Sequence, residues 1–299
     1  MIPVNKANIL TGYIYAVVSA VIYGCMPLMA NYIYADGVSP MTLVFLRNFL
    51  ALIPLAVLGF RQKKTLKIPV KSLPYIGLLA AFGCCITPVL LFTSYRHIPS
   101  GTATVFHFIY PAVVVLCSVV FMRKKLPLGN GISILLCAAG IAMFYTPGQP
   151  LNWTGAGLAL LSGVTFAVYV LFLPAFPFKA EVNGFLFSFY VAAASSVISL
   201  ILCIATGQLA LPASLIGWGL SALFAILVTV GAVVLFQQSA FMIGSERTSI
   251  LSTLEPITSV IVGILIFHEQ VSLRILIGSL MVIAASLLIA IVDLRKNRQ

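Results

Sequence analysis

The amino-acid sequence predicts an all-α integral membrane protein of ten transmembrane helices, built as two inverted-topology five-helix repeats. Three observations predict it. Hydrophobic residues make up 61% of the 299 and charged residues 8%, with a mean hydropathy of +1.13, whereas soluble domains carry roughly 25% charged residues. The apolar residues come in runs of about 20, the length that crosses a hydrocarbon core as a helix. The second half of the chain also repeats the order of the first at a fixed offset, and an internal repeat of this kind governs the whole topology.

Apolar runs, read against charges, Pro and Gly, place spans near 9–33, 42–60, 74–95, 103–122, 128–146, 153–173, 183–205, 214–238, 247–267 and 272–292. The first follows Lys6 and is too long for a signal-peptide core of about 7–15 residues, so it is expected to be retained. Asp36 and Gly37 close it, and the second ends at Arg61. A basic loop containing Lys63, Lys64, Lys67 and Lys71 precedes the third, the turn Arg96 to Pro99 separates the third from the fourth, and Arg123, Lys124 and Lys125 end the fourth. The fifth precedes the polar segment at 147–152. Trp153 opens the sixth and Trp218 lies near the start of the eighth, both as interfacial anchors. The tenth runs into Arg295, Lys296 and Arg298. Connections of at most about a dozen residues leave no room for a soluble catalytic domain.

Charge fixes the expected orientation. Of 17 Lys and Arg, fourteen fall on the amino-terminal side of the ten spans, Arg96 and Arg274 on the other, and Arg47 within the second span. The positive-inside rule then puts both termini in the cytoplasm of a bacterial-type inner (plasma) membrane. A net charge of +11 distributed over short loops, with no stripe of interleaved aromatics, argues for a lipid partner and against nucleic acid. Six cysteines lie inside apolar spans without metal-type spacing and read as packing residues; no metal or cofactor is expected.

The repeat is clearest between Ser94–Leu126 and Ser239–Val271, which align without a gap at an offset of 145: Ser94 with Ser239, Ser100 with Ser245, Thr104 with Ser249, Pro111 with Pro256. GYIYAVVSAVIYG from Gly12 likewise resembles GAGLALLSGVTFA from Gly155. Five spans per copy is an odd number, so the second copy, 148–299, must enter from the opposite side to the first, 1–147. The charges agree: Arg123, Lys124 and Lys125 align with His268, Glu269 and Gln270, and the basic loop at 61–71 aligns with the uncharged TGQLALPAS at 206–214.

SAVIYGCMPL in the first span, SPMTLVFLRNFLALIPL with Arg47 in the second, Tyr110-Pro111 in the fourth and Glu255-Pro256 followed by FHEQ at 267–270 make the chain resemble the EamA-type family of the drug/metabolite transporter superfamily over nearly its whole length. The resemblance implies two inverted five-helix repeats and a carrier of small metabolites such as amino acids, often exported. One departure is RKK at 123–125, where the family often has a glutamate; the second repeat keeps one at Glu269.

An ionised side chain at mid-membrane costs about 2.5–3.5 kcal/mol, so it usually serves a site. Glu255, His107 and Tyr110 lie at mid-depth and are the first candidates for substrate binding. Positions 103, 107, 110 and 114 share one helical face, as do Thr248, Ser252, Glu255 and Ser259, and the pseudo-two-fold should turn these faces together at the midplane. A satisfied core histidine, a tied tyrosine and a carboxyl that merely holds helices are the structural alternatives. Arg47 either snorkels, pairs structurally or binds substrate; Tyr23, Tyr169, Gln237 and Gln238 are candidate lining. Pro111 and Pro256 each remove a mid-helix donor, which should free the carbonyls of His107 and Ser252 and create paired hinges.

The expected function is alternating-access transport of an amino acid or related amine or cationic compound, coupled to protons. The competing reading, an intramembrane enzyme or lipid-handling protein, needs a nucleophile, a metal cluster or paired carboxylates, and the sequence offers no HExxH, no GxSxG and no second mid-membrane acid.

Overall fold

A computed structural model of the chain describes residues 6–61, 69–122, 128–143, 152–173, 176, 184–244, 248, 251–252, 254–268 and 272–296. Lys63, Lys64, Lys67, Arg123, Lys124, Lys125, Lys179, Arg247, Glu269, Gln270 and Arg298, and the 147/148 boundary, lie outside these residues.

Among the described residues every regular element is helical. Six helices are long and apolar enough to cross a membrane: Leu10–Ala35, Pro40–Arg61, Val70–Ser94, Trp153–Phe172, Gly184–Ala205 and Leu215–Ile243. Gly131–Ala142, Leu254–Ile266 and Leu273–Ala285 are shorter apolar helices. The expected fourth span is interrupted rather than continuous. The elements are α1 (Lys6–Ala35), α2 (Pro40–Arg61), α3 (Leu73–Leu79), α4 (Thr87–Ser94), α5 (Ser100–His107), α6 (Tyr110–Met122) and α7 (Leu128–Ala142). They continue as α8 (Trp153–Phe172), α9 (Gly184–Ala205), α10 (Leu215–Phe224), α11 (Val234–Ile243), α12 (Leu254–Phe267) and α13 (Leu273–Lys296).

Local chemistry sets the ends. Asn152 and Ser214 accept the amides of Gly155 and Gly217 and cap α8 and α10. Gly207, at φ +63°, lets the amides of Gly207 and Gln208 turn back onto the carbonyls of Ile204 and Cys203 and end α9. Large apolar side chains such as Ile53, Leu135, Leu215 and Leu265 point outward, the arrangement a bilayer solvates and water does not. Trp153 is 71% exposed at its helix end, as expected of an anchor.

Packing follows an exchange rule. α2 packs along α9 and α7 along α13, each pairing a helix with its counterpart in the other half, and α5 of the fourth span packs on α12 of the ninth. α1 packs on α11 and α12, while α8 packs on α4 and α5. Each half thus lays its first helix against the third and fourth spans of the other.

The third and eighth spans both contain a π-helical segment, Ala80–Ile86 and Ala225–Val233. They begin 145 residues apart (225 − 80), the offset found in the sequence. Such segments often mark functional sites, and nothing in the sequence reading anticipated them.

Candidate functional site: a cavity between the two halves

Two helix breaks bring the chemistry to the centre. After α5 the chain turns through Phe108 and Ile109, then restarts at Tyr110 with Pro111 in the first turn of α6, where its missing N–H is harmless. The second break lies at Ser252, and α12 restarts at Leu254 with Glu255 and Pro256 in its first turn. One of the two carbonyls is not left free as expected. That of Ser252 accepts the Glu255 amide at 2.9 Å, and that of His107 lies against Gly163 of α8, where a Cβ would sit 2.4 Å from the oxygen. Gly24 plays the same part for α12: a Cβ there would lie 2.8 Å from the Glu255 carbonyl and 2.4 Å from Thr258 Cβ. Glycine permits both close approaches because it has no Cβ.

A third interruption comes from Pro88, which has no N–H for the Cys84 carbonyl one turn earlier. The π-helical segment ends beside it, and the Cys84 oxygen instead accepts Asn48 Nδ2 at 3.1 Å and Arg47 Nη2 at 3.4 Å. Pro88 lies within an apolar run, and that was the available sequence signal. Arg47 does not snorkel; it is 3% exposed.

These elements line a cavity of about 50 Å³. Its polar lining is Tyr23 from α1, Arg47 from α2, Cys84 and Thr87 from the third span, His107 from the end of α5, Tyr169 from α8 and Glu255 from α12; Met26, Leu91, Phe166 and Val233 supply apolar wall. The five side chains Tyr23, Arg47, His107, Tyr169 and Glu255, separated by up to 232 positions (255 − 23) in the chain, therefore share one space. Glu255 is 9% exposed, and among the described residues its carboxyl makes no hydrogen bond or salt bridge. A space this size holds a few waters, so a solute requires it to widen.

Three other candidates stand behind this lining. Gln237 is fully buried, accepts the Ser188 hydroxyl at 2.5 Å and donates to the Tyr169 hydroxyl at 3.0 Å, fixing that phenol. Tyr110 packs its ring edge-on to Phe166, centroids 4.9 Å apart, and 5.9 Å from His107. Ser252 donates to the Thr248 carbonyl at 2.9 Å. The fourth and ninth spans meet through Thr104, which is not one of the four positions of the expected face, and Ser259, whose hydroxyls are 3.2 Å apart. Ser162 donates its hydroxyl proton to the Ala159 carbonyl at 2.6 Å, so at 2.8 Å it accepts from His107 Nδ1–H. That leaves Nε2 without a hydrogen-bond partner among the described residues.

At the end of the bundle where α1 gives way to α2, the two halves are clasped. Ser39 and Thr42 donate to the Gln208 carbonyl at 2.7 and 2.8 Å, Thr42 accepts the Ala210 amide at 3.0 Å, and Asp36 accepts the Ser214 amide at 3.1 Å. Hydrogen bonds from the Ser214 side chain and from the Ser214 and Ala213 amides hold the Asp36 carboxyl below its ordinary range. A second cavity, of about 510 Å³, opens here beside Arg96 and His97. A layer of Tyr34, Phe92, Tyr95 and Phe224 lies along the same stretch of the bundle: Phe92 stands 5.9 Å from both Tyr95 and Phe224.

Residues 10–146 and again 153–291 match the model of the EamA-like transporter family. A curated relative from Archaeoglobus fulgidus, described as an uncharacterized transporter, is 28% identical over 134 residues, 42% of this chain and 48% of its own length; the match spans about half of that relative. A solved crystal structure of a protein aligns over 97% of this chain and 99% of its own, with a TM-score of 0.67 and 16% identity. At that identity the likeness shows the fold alone.

Proposed function

Because the chain belongs to the EamA-like transporter family, we propose that it is a proton-coupled secondary carrier that exports a small metabolite, an amino acid or a related amine or cationic compound, across the inner membrane by alternating access. Ten spans form two inverted repeats, 1–147 and 148–299, with both termini cytoplasmic. The two separate family matches and the exchange rule in the helix packing support this division.

Glu255 carries the reading. A buried carboxyl that has no hydrogen-bond or ion-pair partner among the described residues, at a helix break in a membrane segment, lines a cavity between the halves together with His107. Carriers of this construction bind at discontinuous helices near the midplane. In this reading Tyr23, Tyr169 and Arg47 line the solute path, and Gln237, Tyr110 and Ser252 hold that lining in place. The Asp36, Ser39 and Thr42 clasp and the aromatic layer around Phe92 close the outer side. The Tyr169, Gln237 and Ser188 chain closes the inner one.

Purified protein in proteoliposomes is expected to move radiolabelled amino acids or amines against their gradient when a pH gradient is imposed. Absence of any protein-dependent flux, in gradient or counterflow mode, would sink the carrier.

Orientation is tested separately. Reporter fusions after Lys67 and after Gln208 should report opposite sides of the membrane, and finding both on one side ends the ten-span arrangement.

Pro111 and Pro256 act as hinges. Pro256→Ala restores an N–H one turn after the Ser252 carbonyl and should splice α12 to the turn before it. Transport is expected to fall several-fold with unchanged yield and thermal midpoint; normal flux with reduced yield would make the proline structural.

A further inference from the structure

Arg47 is the charge that proton coupling at Glu255 leaves unused. A guanidinium has five N–H donors. Among the described residues one of them, on Nη2, reaches the Cys84 carbonyl at 3.4 Å, and Nε has no hydrogen-bond partner. That carbonyl already receives Asn48 Nδ2 at the shorter distance of 3.1 Å, so Arg47 is not needed to satisfy it. The face of Phe92, 5.7 Å from Cζ, offers partial compensation. Among the described residues no carboxylate forms a salt bridge with Arg47. A buried, unpaired charge is strongly destabilising, and Arg47 bears it while 3% exposed and lining the central cavity.

Glu255 lines the same cavity and is not bonded to Arg47. Opposite charges that could neutralise each other are instead held apart around one space, which is the arrangement complementary to a ligand carrying both signs. We propose that Arg47 is the carboxylate-binding pole of the cavity, opposite Glu255 as the ammonium-binding pole, so that the cargo is a small zwitterion. The inference rests on the carrier reading and narrows its substrate class. A guanidinium fork suits a carboxylate because two parallel N–H donors meet its two oxygens. An amine without a carboxylate leaves Arg47 unpaired, and an acid without an amine leaves Glu255 unpaired. Sites built around buried polar groups reject analogues that leave such groups without partners.

The test uses the full-length protein in detergent and its thermal midpoint. The probes are the free L-amino acids, the amines made by decarboxylating them, and their N-acetyl derivatives. At least one free amino acid should raise the wild-type midpoint, with its amine and N-acetyl counterparts at least about tenfold weaker in apparent affinity. Arg47→Gln should erase the preference for amino acid over amine. Arg47→Lys keeps the charge and loses the fork; it should retain the preference with at least about tenfold weaker binding, and it covers the case in which Arg47→Gln does not fold. Equal binding of amines and amino acids by the wild type, an unchanged preference in both variants, or no amino acid bound at all overturns the proposal. Amines that bind and drive proton-coupled flux overturn the zwitterion alone and leave the carrier standing. Selective amino-acid binding without protein-dependent flux does the reverse.

Discussion

Glu255→Gln is expected to lower pH-gradient-driven flux on the order of 100-fold while the protein still folds. The magnitude follows from what the charge costs. Holding a carboxylate at mid-membrane is unfavourable by about 2.5–3.5 kcal/mol, and a group with no partner among the described residues is expected to return that energy in the transport cycle. That energy corresponds to roughly two orders of magnitude in a rate or an equilibrium constant. Glutamine keeps the shape and removes the titratable group, so folding should be undisturbed: among the described residues the carboxyl makes no hydrogen bond or ion pair that the amide would break. A carboxyl whose surroundings alternate between a dry cavity and an apposed cation exchanges a proton for solute, and His107, with Nε2 open, can share that proton. Counterflow without a pH gradient should therefore survive better than gradient-driven flux. Wild-type rate and pH dependence in Glu255→Gln proteoliposomes would make the residue structural and the coupling mechanism wrong.

Gly163→Ala should be the most damaging single-methyl change in α8. Alanine is ordinarily favoured over glycine in a helix by about 0.5–1 kcal/mol. At 163, however, the new Cβ lies 2.4 Å from the His107 carbonyl oxygen and 2.7 Å from Ile109 Cγ2. The first of these is backbone at a helix break and cannot rotate away. Overpacking of this kind costs about 1–3 kcal/mol, so the clash outweighs the propensity and pushes the α5 end, with His107, off the cavity. Gly157, two turns earlier on the same helix, has nothing within 4 Å of its ideal Cβ, which makes Gly157→Ala the matched control. The Gly163 variant is expected to melt roughly 5 °C below the Gly157 variant and to lose most of its transport. Equal midpoints and rates would show that α5 does not rest on α8 as described.

The sequence carried the helical class, the repeat and much of the lining. Each is written in a one-dimensional signal: apolar runs matched to bilayer thickness, a gapless offset of 145 residues, and rare ionisable residues at mid-span. Arg47 and Glu255 stand out in a chain with 8% charged residues, and Tyr23, His107 and Tyr169 could be placed by depth. Long continuous spans were legible where hydropathy is uniform. Where prolines interrupt the ladder, hydropathy continues while the helix does not, so the apolar run at 103–122 was read as one span and is two helices.

Depth along a helix is set by sequence, but the neighbour at that depth is set by packing. Tyr110, Ser252 and Gln237 have the right depth for the cavity and stand behind it: contacts with Phe166 and Tyr169 on another helix fix how Tyr110 and Gln237 are turned, and Ser252 spends its hydroxyl on the Thr248 carbonyl of its own turn. Only the tertiary structure decided that the Cys84 carbonyl, released by Pro88, meets Arg47 and Asn48 from another helix. It likewise decided that Gly24 and Gly163 admit backbone carbonyls of the opposite half. A freed backbone group must find a partner or a close-packed neighbour in a medium without water, and which one it finds depends on residues dozens of positions away in the chain.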